Sequence, residues 1–396
     1  MTASASADTL RLHRLTMVEE RDGIMVGRPD IASYALFPPE GAEVLKMLAA
    51  GASIASAAAW YERTCGESLD LEDFVEALQD LGFVCGADEE YTEPSPVRWQ
   101  RLGGWLFSWP AWAAYLVVVA TALVLMARRP ELRPSYRNLF FTHYLSLIPI
   151  ALTATMIPCI LLHEGFHALA GRRLGLPSKL SIGRRLYYLV AETRLDSLFS
   201  VPRRRRYLPF MAGMLADTVL ISLLTVLAAV LQDRGVARWL PALCLAVAFS
   251  CVLRLIWQLM FYLETDLYFV LVHALSCTDL QNATRYYLRV RINRLLRRRP
   301  PTPPSVEWSD RDNRMARWYA PLLVIGYGFS LGSLLWAGLP TTVHFCSLLI
   351  ERFRGTSATD GIIDALSFLT LSSLQWGLLA YVTIRDRRDR ARANSR

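Results

Sequence analysis

Residues 144–167 read YLSLIPIALTATMIPCILLHEGFH, and the point at which this run changes character decides the fold. Tyr144 to Leu162 carries no charge, and an uncharged apolar run of nearly 20 residues is long enough to cross a bilayer as a helix. It then meets His163-Glu164-Gly165-Phe166-His167. Residues four apart share a helix face, so His163 and His167 can aim both imidazoles at one metal ion while Glu164 addresses water beside it. Ionisable groups inside an apolar span cost roughly 2.5–3.5 kcal/mol on insertion scales, so they line a cavity or hold an ion. The competing reading is a helix end that protrudes into water near Arg172 and Arg173 and carries the same residues without function.

Outward from this motif the whole chain is apolar. Of its 396 residues, 53% are hydrophobic, which is too many for an ordinary soluble protein of this length and predicts a polytopic membrane protein with soluble appendages. The net charge of +8 comes almost entirely from arginine, Lys46 and Lys179 being the lysines. The basic runs flank apolar segments, the pattern of a cytoplasmic membrane face, and argue against nucleic-acid binding. Seven cysteines without a C-x-x-C pair give neither a disulfide framework nor a thiolate metal site. The first twenty residues lack an apolar core, so we expect no cleavable signal peptide and a cytosolic amino terminus.

Five regions follow from composition: a small amino-terminal domain (1–90), a linker (91–105), a membrane core (106–290), a basic cytosolic loop (291–317) and a carboxy-terminal pair of spans with a basic tail (318–396). In the first region, Arg21 to Val26 reads as a turn and strand and Pro38-Pro39-Glu40 opens a helix with Val44, Leu45 and Leu48 on one face. A second helix is predicted over 54–63, and a third runs from Leu71 and ends at Gly82. Apolar spans are predicted at 106–127, 143–171, 209–231, 238–260, 318–340 and 361–384, with a shorter stretch at 267–275 and a strand over 186–195. Seven arginines lie between Arg285 and Arg299 and six follow Ile384. Placing these and the basic loop 172–206 in the cytosol gives about six transmembrane helices with both termini inside. Arg128, Arg129, Arg133 and Arg137 conflict with that arrangement, because it leaves them outside.

A zinc-type site that keeps one position open takes three protein ligands, so the two histidines need a third. Asp266 is the first candidate, because Glu264 and Asp266 interrupt the apolar sequence from Met260 to Phe269. Glu264 itself, His273 two turns beyond Asp266, and Glu192 are the alternatives.

At these residues the chain resembles the site-2 protease family of membrane zinc metallopeptidases, in particular its peptide zinc metalloprotease branch. The residues that carry the resemblance are His163 to His167, then Arg203-Arg204-Arg205-Arg206 leading to Ala212-Gly213-Met214-Leu215-Ala216-Asp217, then Gln258 and Asp266-Leu267-Tyr268. It covers roughly 140–290, and Asp279-Leu280-Gln281-Asn282 with Tyr286-Tyr287-Leu288 is similar to that branch too. Met214 and Asp217 stand where the family has Pro and Asn, and Phe261 and Leu267 stand where its aspartate motif has Pro and Gly. The resemblance implies a site-2-protease-like core, a Zn2+ cofactor on His163, His167 and Asp266, and Glu164 as the catalytic base of peptide hydrolysis. Gly213, Asp217 and Gln258 would be supporting residues, Gly213 by letting helices approach closely and Asp217 as a hydrogen-bond acceptor or an additional ligand. The strand-like loop 180–195 is a candidate for holding an extended substrate by edge pairing, or is a hairpin lying on the membrane.

Residues 12–86 are similar to the PqqD-like peptide-recognition domain, a small α+β winged-helix module that binds leader peptides of ribosomally made, modified peptides. Asp22 to Val26, Tyr34 to Phe37, Gly41 to Leu45 and Phe74 to Val84 carry this similarity. It implies a peptide groove formed by Tyr34, Leu36 and Phe37 on a strand and by Phe74 and Leu78 on a helix. A DNA-binding winged helix is the competing reading, opposed by the many acids and the lack of a basic stripe. The expected protein is thus a mainly α membrane metallopeptidase of the cytoplasmic membrane, with a peptide or membrane-protein substrate. The alternatives are a peptide-binding membrane protein without proteolysis, such as an export or immunity partner, and an intramembrane signalling protease.

Overall fold

The computed structural model describes residues 10–333 except 22, 32, 87–96, 143–146, 186–187, 300–307, together with scattered residues between 335 and 388. The chain is mainly helical, with a small three-stranded sheet near its amino terminus. It divides into two compact units: Met1–Leu106 with Ala168–Lys179 and Arg194–Pro209, and Phe107–His167 with Leu180–Thr193 and Phe210–Arg396.

In the first unit, β1 (Thr16–Glu20), β2 (Gly23–Arg28) and β3 (Ser33–Phe37) form an antiparallel meander in the order β1-β2-β3, with Val18 opposite Met25 and Val26 opposite Ala35. Three helices follow: α1 (Pro39–Ala49), α2 (Ile54–Cys65) and α3 (Leu71–Asp80). Proline opens α1, where a missing N–H costs nothing. The side chains of Ser53 and Asp70 cap α2 and α3 by accepting from the backbone of Ser56 and Asp73. Val26, Ala42, Leu45, Leu78 and Phe83 fill the core, and a bridge between Leu12 and Val84 closes it.

The same unit takes in the segment that precedes the long helix α7 (Arg203–Asp233). Phe199 packs against Tyr34 with ring centroids 6.0 Å apart, the Ser197 hydroxyl donates to the Pro29 carbonyl at 3.1 Å, and buried Arg206 pairs with Glu20 at 2.5 Å. Much of the expected linker falls on residues outside the description, and Gln100–Leu106 forms a short helix, α4.

Among the described residues, four helices are long and apolar enough to cross a membrane: α5 (Trp109–Arg128), α6 (Leu147–Arg173), α7 and α8 (Trp239–Trp257). They match the predicted spans 106–127, 143–171, 209–231 and 238–260 to within about six residues at any end. Between α6 and α7 lies a two-stranded hairpin, β4 (Lys179–Arg185) and β5 (Tyr188–Arg194). The expected short apolar stretch is α9 (Asp266–Ala274), followed by α10 (Leu280–Leu295) and α11 (Asp310–Ser333). Most of the predicted span 361–384 lies outside the described residues. Of the arginines that conflicted with the charge pattern, Arg129 pairs with Asp233 at 2.8 Å and with Glu131 at 3.2 Å, whereas Arg133 donates to the Met126 carbonyl.

Candidate metal centre

His163, Glu164, His167, Thr193, Gly213, Asp217, Arg254, Gln258 and Asp266 all belong to the second unit. His163 and His167 lie on the carboxy-terminal part of α6, and both are buried, at 4% and 6% exposure. At 1.5 Å per residue they sit about 15 and 9 Å from the basic end of the helix at Arg173. Their Nε2 atoms are 3.2 Å apart.

Asp266 completes a triangle. Its Oδ2 lies 3.1 Å from His163 Nε2 and 3.2 Å from His167 Nε2. Local geometry puts it there: after α8 the chain makes a single 3-10 turn at Phe261–Leu263, Glu264 takes a left-handed conformation (φ 54°), and Asp266 becomes the first residue of α9. Gln258, at the end of α8, holds the turn in register. Its Nε2 donates to Asp266 Oδ2 at 3.0 Å, its Oε1 accepts from the Asp266 backbone N–H at 3.0 Å, and its carbonyl accepts from the Thr265 hydroxyl at 2.8 Å.

Among the described residues, His163, His167 and Asp266 form the one group of ligating side chains placed to hold a metal ion. Bonds of about 2.0–2.2 Å to nitrogen and oxygen put neighbouring donor atoms about 3.0–3.4 Å apart on a tetrahedral or octahedral face. The observed separations of 3.1–3.2 Å fall in that range. Gly213 on α7 supplies an independent sign of fit. A Cβ at this position would run into His163 Nε2 and Cε1 and His167 Nε2, so the absence of a side chain is what keeps the volume between the imidazoles open.

The other carboxylates are arranged around this triangle. Asp217, buried to 1% exposure on α7, lies with Oδ2 3.0 Å from His163 Nδ1, on the opposite side of the ring from the donor triangle. Its carboxylate thus lies beside His163 and outside the group of three that could hold a metal ion. Arg254 on α8 engages both Asp217 oxygens, through Nε at 2.9 Å and through Nη2. Glu164 is buried next to the ligands, and the Thr193 hydroxyl on β5 lies 2.8 Å from its Oε2 and 2.9 Å from its carbonyl oxygen. The remaining third-ligand candidates are engaged elsewhere. Glu264 pairs with Arg285 at 3.2 Å, His273 packs on Phe210 with ring centroids 5.8 Å apart, and Glu192 accepts from Ser181 at 3.2 Å.

The residues expected to bind peptide divide differently. Leu78 is fully buried, Phe37 packs edge-on against Phe74 and also against Phe83, Tyr34 meets Phe199, and Leu36 on the edge strand β3 is exposed. Sequence reasoning overlooked Thr193 and Arg254. A hydroxyl in a short strand gives no signal, whereas a lone arginine inside an apolar span does.

No protein-family model, curated protein or solved structure matches the chain. Function therefore has to be argued from the site itself.

Proposed function

We propose that this protein is a membrane-embedded zinc metallopeptidase. The observation that carries the reading is the triangle of His163, His167 and Asp266 with Glu164 buried beside it, inside a helix apolar enough to span a bilayer. Two imidazoles and a carboxylate also suit other transition metals. The carboxylate next in sequence to the first histidine favours zinc and hydrolysis, because that is where a general base is needed. Trp109, Leu116, Val117 and Leu123 of α5 are more than half exposed, as lipid-facing side chains would be. The basic segments around 172–206, 285–299 and after 384 then face the cytosol, with both termini.

His163, His167 and Asp266 would hold the zinc, with Gln258 steadying Asp266 through its amide. Bound zinc supplies Lewis acidity towards a carbonyl and brings the pKa of water to about 7. Glu164 takes the proton from the attacking water and passes it to the leaving amine, and Thr193 fixes the orientation of its carboxylate. β4–β5 carries Thr193, so an extended peptide paired to this hairpin would run beside the base. The substrate class we propose is a peptide, in particular a precursor with a leader captured by the amino-terminal domain.

The test uses the full-length protein in detergent, with zinc per chain measured by elemental analysis and cleavage followed with a library of fluorogenic, unstructured peptides. Wild type should hold one zinc and cleave, and Glu164→Gln should keep the zinc and lose cleavage. A wild-type protein that takes up no zinc, or an unimpaired Glu164→Gln, rejects the reading.

A further inference from the structure

We propose that Asp217 and Arg254 form a buried relay that fixes His163 as a metal ligand, a positioning role resting on the zinc reading above. Asp217 lies one helical turn after Gly213 on α7, so the face of α7 that makes room for the metal also carries the carboxylate. Arg254 is the one charged residue between Trp239 and Trp257, and it presents a fork to both Asp217 oxygens. Its Nη2 also lies 3.4 Å from the carbonyl of Cys159, one turn before His163 on α6. Arg254 thus links three helices at the level of the imidazoles.

The hydrogen bonds determine the tautomer. An ionised carboxylate can only accept, and Asp217 already accepts from Arg254, so its contact with His163 requires Nδ1 to carry the proton. With the proton on Nδ1, Nε2 can offer its lone pair to a cation held between it, His167 Nε2 and Asp266 Oδ2. Three potential donor atoms converge there, and zinc bound among them would take that lone pair. The guanidinium has a second consequence. It cancels the charge of Asp217, so the ring is oriented without another negative charge beside the metal, and Asp266 remains the anionic ligand.

Partners of this kind change metal affinity by about 10–100-fold when removed. The experiment measures zinc affinity of the full-length protein by competition with a chelator, and the visible spectrum after cobalt substitution, which reports ligand geometry. Asp217→Asn keeps the volume and loses the charge; we expect zinc affinity to fall by about 10–100-fold and the cobalt bands to move. Arg254→Gln should weaken zinc in the same way, with Arg254→Lys recovering part of the loss by restoring the charge without the fork. Wild-type affinity and an unchanged cobalt spectrum in Asp217→Asn would overturn the relay while leaving the metallopeptidase reading standing. A wild-type protein that binds neither zinc nor cobalt would overturn that reading first. Should Asp217→Asn fail to fold, the comparison of Arg254→Gln with Arg254→Lys decides: equal, wild-type affinities reject the relay.

Discussion

Replacing Gly213 by alanine is the smallest change that should empty the metal centre. The added Cβ would press on Nε2 of both histidines and on Cε1 of His163, which is the volume enclosed by the donor atoms. A carbon atom needs about 3.5 Å from its neighbours, whereas a metal sits about 2.0–2.1 Å from imidazole nitrogen, so the methyl and the ion exclude one another. To admit both, the rings or α7 would have to retreat by about 1 Å, which takes imidazole nitrogen well beyond the bonding distance of about 2.0–2.1 Å. A loss of at least 100-fold in zinc affinity corresponds to about 2.8 kcal/mol. The clash is with the imidazoles themselves, so the metal-free protein should lose some stability too, offset in part by the roughly 0.5–1 kcal/mol that glycine costs a helix interior.

The response to added zinc separates a blocked site from a broken fold. Zinc at 100 times its dissociation constant should stabilise wild type by about 2.7 kcal/mol and raise its thermal midpoint. Gly213→Ala should fold cooperatively with a lowered metal-free midpoint, show no response to zinc, and carry no zinc by elemental analysis. One zinc per chain with the same midpoint rise would refute the argument, since α7 would then not form a wall of the site.

Thr193→Val removes a hydroxyl whose single proton is shared between the carbonyl and Oε2 of Glu164. A hydrogen bond to a charged group contributes about 1.5–3 kcal/mol, so kcat should fall roughly 10–100-fold at unchanged zinc content, and an unaltered kcat would show that the hydroxyl does not orient the base. Glu20→Ala leaves Arg206, whose side chain is 3% exposed, without its carboxylate. Stranding a buried charge costs about 3–5 kcal/mol, so backbone amides around 196–206 should exchange faster in hydrogen-exchange measurements; wild-type protection there would show that the pair does not hold this segment.

The ligand set was legible in sequence to different depths. The spacing of His163 and His167 is a local property of a helix, so their shared face followed directly from it. The third ligand depends on a turn, and Glu264 and Asp266 are too close in sequence for spacing to choose between them. The left-handed residue at 264 makes the choice: Glu264 goes to Arg285 and Asp266 goes to the histidines. Helix boundaries in the amino-terminal domain were readable from Pro39, Leu71 and Gly82, whereas β1 was not. Its sequence, TMVEE, is too short and too polar for a pattern, and its pairing partner is supplied by the turn to β2.

Arg254 and Asp217 show what hydropathy averaging conceals. Each sits alone in its predicted span, Arg254 in 238–260 apart from Arg238 at its edge, and Asp217 in 209–231. Either would be costly by itself in lipid, so two consecutive spans carrying one lone charge each, of opposite sign, already call for an ion pair between the helices. Counted from the ends of the predicted spans at Pro209 and Met260, Asp217 lies about 12 Å and Arg254 about 9 Å inside, at the 1.5 Å rise of a helix. An arginine side chain can reach across that difference in depth while its stem stays in apolar surroundings. Once the pair forms, both Asp217 oxygens are engaged by the guanidinium, and the one beside His163 accepts from Nδ1, the ring nitrogen that faces away from the candidate metal position.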